Sequence, residues 1–442
     1  MRNLLLRGTP LSSYVKAYQF YGIIILIGIL SCRLAAAEEL PAGERLGASF
    51  HNGFFLDSAD GAFHMRMGGL VQADTRYFPE NAAPGPVDQF SLRSARLESD
   101  ATLYRVVDAR LNFDGGQGKF QVQEAWAELH PSPLVRLRVG KFKEPFGLER
   151  WQPEGRTAFM ERGFPTQISP NRDTGVMLFG EIADGALQYF GGVFNGVVDN
   201  STVDGELDND KEEVLRVFLH PLRPSRIAAL RDLGLGGAGS FAQLTGTVAN
   251  PQLNALSTDG LTPFFKYVAG TTIETTAIAA GERWRATGQA YWYVGRFGFL
   301  GEYTRNTQEI RLKDKHDTVG MTALSVYATF LLTNDKAAFL GVKPEHPFSV
   351  DGARGWGAWE IGLRYSSLSV DDVAFKQGYA DAAKSPNGAA SYTLGLNWYL
   401  SANAKVQVNL ERTSFSAFSA GTTVNAERAA ESAVMARLQY SL

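Results

Sequence analysis

Between Val139 and Asp173 the chain reads VGKFKEPFGLERWQPEGRTAFMERGFPTQISPNRD, and this stretch gathers the side chains best suited to chemistry. Arg150, Arg156, Arg162 and Arg172 recur through it, preceded by Lys141 and Lys143. A guanidinium is always charged and presents a planar fork of donors that matches the oxygens of phosphate. Spaced cations of this kind suit a series of weak anion sites, which is what conduction through a narrow passage requires. Glu144, Glu149, Glu154 and Glu161 lie among them, so residues 141–172 hold six basic against four acidic side chains, a net of +2. Neighbours such as Glu149-Arg150 and Glu161-Arg162 could equally form salt bridges that only pin a loop. From sequence alone both readings stay open.

The elements around this block say where it sits. It starts as a strand with alternating basic residues and breaks at Pro145 and Gly147. A loop this long is usually functional or disordered, and its arginines and aromatics favour function. The flanking chain alternates with a period of two, the strand signature. Val406, Val408 and Leu410 oppose Lys405, Gln407, Asn409 and Glu411; Val107, Ala109, Leu111 and Phe113 oppose Asp108, Arg110 and Asn112. Alternation alone does not place the polar face, since a half-buried soluble sheet shows it too. Sixteen strands are expected, near 63–78, 89–102, 104–114, 120–130, 134–143, 173–183, 186–197, 211–220, 239–248, 283–293, 296–306, 316–333, 354–368, 389–400, 403–415 and 431–442. Their links alternate between long and short, as an up-and-down membrane barrel requires. Two links, 221–238 and 334–353, are long where short ones are expected. The stretch 249–282 leaves the strand count open. The fold class is therefore all-β: a transmembrane antiparallel barrel of about 16 strands, with 144–172 as an inward-folded third external loop.

Composition bounds the remaining possibilities. Arg2, Arg7 and Lys16, the apolar run Tyr21–Leu30 and Ala35-Ala36-Ala37 read as a secretory signal peptide over 1–37. Residues 38–62 read as a short periplasmic lead-in, and 63–442 as the barrel. Cleavage after Ala37 removes Cys32, the single cysteine, which leaves no disulfide or thiol chemistry. It also removes four positive and no negative charges, taking the net charge from −3 to −7. No global basic field then points to nucleic acid. Six histidines (His51, His64, His130, His220, His316 and His346) stand in no catalytic or metal-binding motif. Asp371-Asp372 and the acidic run 204–213 read as solvated charge before they read as a cation site. An enzyme is not expected, nor are a cofactor or a metal.

The segments FSLRSARLESD, VQEAWAEL, VRLRVGKFKEPFGLER, FMER, RDTGV, WEIGLRYSSLSVDD, YTLGLNWY and VMARLQYSL, in this order over most of residues 60–442, resemble the phosphate-selective porins O and P. The resemblance implies a sixteen-stranded outer-membrane barrel in a Gram-negative bacterium, usually a homotrimer, whose third external loop narrows the pore. It implies passive diffusion of small anions, phosphate or polyphosphate among them, with outer-membrane lipid as the other partner. Arg150 in GLER, Arg162 in FMER and Arg93 before the Ala-x-Leu-Glu motif match basic positions of the family. Leu70, Ser94 and Gln123 depart from it, at two expected arginines and one expected acid. A general porin, or one selective for cations, sugars or mixed solutes, therefore remains the alternative; an adhesin or outer-membrane enzyme is more remote. The residues expected at the constriction are Arg150, Arg162, Arg156, Arg172, Lys143 and Arg93. Arg110, Arg216, Arg364 and Lys405 lie on polar strand faces and are expected to line the lumen, because charge facing lipid is costly. Trp151, Trp359, Trp398 and Tyr399 are candidates for interfacial girdles or loop packing.

Overall fold

The computed structural model describes residues 46–80, 85–203, 209–350, 355–420, 423–424 and 428–442. The signal segment 1–37, the start of the lead-in and residues 204–208 of the acidic run lie outside the described residues. The chain runs β1 (Leu46–Phe50), β2 (Phe54–Ser58), β3 (Phe63–Tyr77), β4 (Gln89–Leu103), β5 (Val107–Asp114), β6 (Gln121–Ser132), β7 (Val135–Lys143), β8 (Arg172–Ile182), β9 (Leu187–Phe194), β10 (Glu212–Leu219) and β11 (Gly234–Thr245). It continues with β12 (Leu256–Ser257), β13 (Pro263–Phe265), β14 (Ile278–Val294), β15 (Phe297–Leu312), β16 (Lys315–Leu331), β17 (Ala358–Val370), β18 (Gly388–Tyr399), β19 (Ala404–Ser416), β20 (Ser419–Ala420), β21 (Thr423–Val424) and β22 (Glu431–Ser441).

Sixteen of these, β3 to β11, β14 to β19 and β22, pair antiparallel with their neighbours in sequence order. The last then pairs with the first, from Val434↔Tyr77 to Ser441↔Leu70. Closure satisfies every strand edge, which a sheet in lipid must do. β22 covers only the upper part of β3; the β1–β2 hairpin pairs with its lower part, Phe54↔Met67 to Asp57↔His64. Besides the first residues of β14, the stretch 249–282 holds only the small β12–β13 pair, so the count stays at sixteen. β11 begins five residues earlier than the alternation indicated, because Gly234–Gly239 carries almost no side-chain pattern yet ladders fully onto β14.

The side chains resolve what alternation left open. On β19, Lys405, Gln407, Asn409, Glu411 and Thr413 are buried while Leu410 is exposed; on β18, Ser391, Thr393 and Asn397 are buried while Tyr392, Leu394 and Leu396 are exposed. Apolar groups face outward and polar ones inward, the inverse of a soluble sheet and the pattern of a barrel in lipid. Trp359 and Trp398 stack 5.1 Å apart on the outer wall near the short-turn end, at girdle height. Tyr399 instead faces inward, its hydroxyl 2.7 Å from Glu360 Oε2. No described helix is long and apolar enough to cross a membrane; the strands do so.

Of the two long links at the short-turn end, the one after β16 sends its segment around Phe339 up into the lumen. Phe339 stacks on Tyr291 at 4.8 Å, and its carbonyl accepts from Gln152 Nε2 at 2.7 Å. The other, 220–233, stays at the rim, where the Ala229 carbonyl accepts from the Trp292 indole at 2.7 Å.

Candidate functional site

The link between β7 and β8, the third on the long-link side, crosses the barrel interior. It has little regular structure: one helical turn (Leu148–Trp151) and two 3-10 turns (Glu154–Arg156, Phe164–Ile168). Apolar anchors hold it on one side of the lumen. Phe142 and Phe146 pack with Phe190 and Phe194, and Leu148 and Phe159 with Phe218, Leu300 and Tyr327. At the long-loop end Phe164 and Ile168 meet Phe264, Phe265, Phe375 and Tyr379 of two other loops. Gly163 has no room for a side chain, since a Cβ there would lie 2.4 Å from Ser325 Oγ on the far wall. Backbone bonds complete the seating. Glu302 on β15 accepts from the amides of Leu148 and Glu149, both at 3.1 Å, and Asn397 Nδ2 donates to the Ala158 carbonyl at 2.8 Å.

On the opposite side an open cavity of about 520 Å³ remains between the loop segment Trp151–Arg156 and the inner faces of β3 to β8. Seven basic side chains line it (Arg66, Arg96, Arg110, Arg138, Lys143, Arg156 and Arg172) against three acidic ones, Glu98, Glu124 and Glu154. Several are tethered to carboxylates: Arg172 Nε to Glu124 Oε1 at 3.0 Å, Arg110 Nε to Asp100 Oδ1 at 2.5 Å, Arg138 Nη2 to Glu128 Oε2 at 2.5 Å. Arg138 also lies 3.9 Å above the Trp126 ring. Arg96 bridges wall and loop through Asp114 at 2.9 Å and Glu154 at 2.5 Å. Lys143 Nζ and Arg156 Nη1 donate only to the carbonyls of Gln152 and Ala402, at 2.9 and 3.1 Å, among the described residues. In a narrow, low-dielectric passage such charges act at close range and bias which ions enter.

The structure thus divides the residues expected from sequence. Arg110, Lys143, Arg156 and Arg172 meet in the cavity. Arg150 does not: it is buried and donates to the Thr166 carbonyl at 2.7 Å and to Asn200 Oδ1 at 2.5 Å. Burial first, then Arg162 and Arg172 nearby, push its guanidinium down to about 9, which leaves it charged at neutral pH. Arg162 bonds the carbonyls of Glu149 and Gln152 at 3.1 and 3.0 Å. Arg216, Arg364 and Lys405 face inward but are covered by the loop. Arg216 lies 5.3 Å from the Trp151 ring, Arg364 bonds Asp259 and the Glu161 carbonyl, and Lys405 donates to the Thr157 carbonyl at 2.9 Å. The neighbour salt bridges left open by the sequence do not form. Glu149 and Arg150 are successive residues of a helical turn, where such neighbours do not face each other, and Glu149 Oε2 accepts instead from the Gly163 amide at 2.8 Å; Glu161 turns to Arg76, Arg93 and Arg437. Burial alone would raise the Glu161 carboxyl, yet Arg93, Arg76 and Arg437 hold it down at about 2.

Arg66, Arg96 and Arg138 were not singled out from sequence, although strand parity could have found them. Arg138 alternates with outward Leu137 and Val139, and Arg66 shares parity with buried Asp74 and Arg76. The three departures all face the lumen. Leu70 lines the cavity, Ser94 donates to Asp114 at 2.8 Å, and Gln123 is buried at a bulge where β6 gives two residues for one on β5.

A closed barrel that is apolar outside and charged within, partitioned by an inward loop, defines a porin: a passive channel rather than an enzyme, seated in the outer membrane of Gram-negative bacteria. The chain belongs to the family Phosphate-selective porin O and P, which it matches over residues 65–442. It is similar to Porin O of Pseudomonas aeruginosa, 23% identical over 423 residues that cover 86% of this chain and 91% of that protein. Among solved structures it resembles the outer membrane channel DcaP of Acinetobacter baumannii (TM-score 0.54, 9% identity, 86% of this chain and 98% of that one). It also resembles an anion-selective porin from Comamonas acidovorans (TM-score 0.50, 13%, 86% and 100%) and the trimer form of OmpT of Vibrio cholerae (TM-score 0.50, 12%, 86% and 100%).

Proposed function

We propose that this porin conducts small anions, phosphate among them, along the cavity between the constriction loop and β3 to β8. The excess of seven basic over three acidic lining groups carries this reading. Arg110, Lys143, Arg156 and Arg172, together with Arg66, Arg96 and Arg138, form the conducting face. Arg150, Arg162, Arg216, Arg364 and Lys405 hold the loop. Tethered guanidiniums retain free N–H groups, so each offers a weak site that an oxyanion occupies briefly, as conduction requires. The family description, phosphate-selective, is consistent with this assignment. Leu70 and Ser94 stand where the resemblance implies arginines and favour a modest preference over a tight phosphate site, while Gln123 in place of an acid works in the opposite direction. Assembly as a homotrimer within outer-membrane lipid is proposed by analogy with the trimer form of OmpT.

Reversal potentials across a planar bilayer under a potassium chloride gradient test the reading. The expected sign is anionic, with inorganic phosphate lowering the chloride current. Cation selectivity with no effect of phosphate would leave the barrel intact and overturn the anion assignment.

A further inference from the structure

Where the barrel closes, three adjacent strands each send one arginine to the same carboxylate. Arg76 of β3 places Nη2 2.7 Å from Glu161 Oε1. Arg93 of β4 grips both oxygens, through Nε and Nη2, each at 3.0 Å. Arg437 of β22 adds Nη2 at 3.4 Å. Arg93 owes its direction to a bulge. The pairs Gln72↔Ser94 and Ala73↔Leu92 skip it, and the extra residue turns inward beside Ser94. Asp74 holds Arg437 through both oxygens at 2.7 and 2.8 Å and Arg76 at 3.2 Å. Three guanidiniums thus face two carboxylates.

This is more charge than tying down a loop needs. Elsewhere a loop carboxylate meets a single close arginine, as Glu154 meets Arg96. Arg76 is fully buried, yet its Nε and Nη1 have no partner among the described residues. The cradle therefore has donor capacity that Glu161 does not fill. Arg93 and Glu161 retain 25% and 12% of their side-chain exposure while Arg76 and Arg437 retain at most 1%, so solute reaches the cradle from the Arg93 side. A bidentate arginine fork accepts a phosphate as readily as a carboxylate.

We propose that Arg76, Arg93 and Arg437 form an oxyanion site in the upper lumen that the protein's own Glu161 occupies, so that Glu161 sets how weakly permeating oxyanions bind. This deepens the anion-porin reading and rests on it. An arriving oxyanion takes the Arg93 fork and displaces the carboxylate toward water; no covalent bond changes and the cradle keeps its charge balance. Internal competition of this kind keeps affinity low enough for release.

The test is Glu161→Gln, with inorganic phosphate titrated against chloride current in the bilayer. Relief of competition is expected to lower the half-blocking phosphate concentration roughly tenfold, the equivalent of about one charge-assisted hydrogen bond. An unchanged half-blocking concentration in a folded channel would make Glu161 a structural tie and overturn the proposal. Should the variant fail to insert, Arg93→Gln decides: the half-blocking concentration must rise, and an unchanged value overturns it. A cation-selective wild type that phosphate does not block would sink the broader anion reading, yet Glu161→Gln would still be required to confer phosphate block.

Discussion

The two sides of the lumen use inward charge in opposite ways. Along β3 to β8 the arginines border an open cavity and keep donors turned toward it. Along β15 to β19 the loop lies directly on the wall, and Arg364 and Lys405 are spent on loop carbonyls and buried carboxylates. Both sets sit at inward positions of alternating strands, so residue type and parity are the same. What separates them is the apolar packing of Phe159, Phe164 and Ile168, which decides where the loop rests and hence which charges remain available to solute.

Variants on each side can sharpen or break this contrast. The largest effect is expected from Arg364→Ala. It leaves Asp259, Glu149 and Glu411 without their shared cation and should cost about 3–5 kcal/mol, with ion selectivity little changed in channels that do form. Urea unfolding of the detergent-solubilised barrel reads the first quantity and reversal potentials the second; a large selectivity change would erase the distinction between the two sides. Next comes Arg172→Gln in the cavity, for which the anion-to-cation permeability ratio should fall by roughly two- to fivefold at low salt and less at high salt. Loss of stability without any shift in that ratio would place Arg172 with the loop-holding set. The smallest effect is that of acid on the Glu161 cradle. Its carboxyl is held below the unfolded value, so its contribution is complete above an ordinary glutamate value of about 4.3 and disappears as pH falls through about 2. Conductance is therefore expected to show no step attributable to loop release between pH 7 and pH 4.5, recorded on single channels; such a step would mean that the arginines do not hold Glu161 as described.

Much of the barrel could be read from the chain because each strand reports its own parity. Alternation such as Val406 against Lys405 and Leu111 against Arg110 gave the strand pattern, and the alternating link lengths with an even strand count pointed to closure. Alternation alone left the polar face open; the cost of charge in lipid pointed Lys405 and its face to the lumen, and the burial of Gln407 and Asn409 shows them there. The loop was legible as a loop but not in its contacts. Glu161 and Arg162 are adjacent in sequence, yet Glu161 finds partners 85, 68 and 276 residues away. Bulges were the other blind spot. A single skipped residue reverses parity locally, and at Arg93 and Gln123 that reversal sets what the lumen presents.

The Arg437–Asp74 pair joins residues 363 positions apart, across the seam where the last strand meets the first. That separation imposes an order of events. Contacts this distant in sequence form late, since the intervening chain must first be brought together. The cradle that receives Glu161 has no third side until β22, the final eleven-residue strand, has docked on β3. The full seat of the constriction loop is thus tied to closure of the barrel. Without that strand the barrel would have an open seam and the loop would lack its full seat, so closing the barrel and seating the loop depend on the same strand.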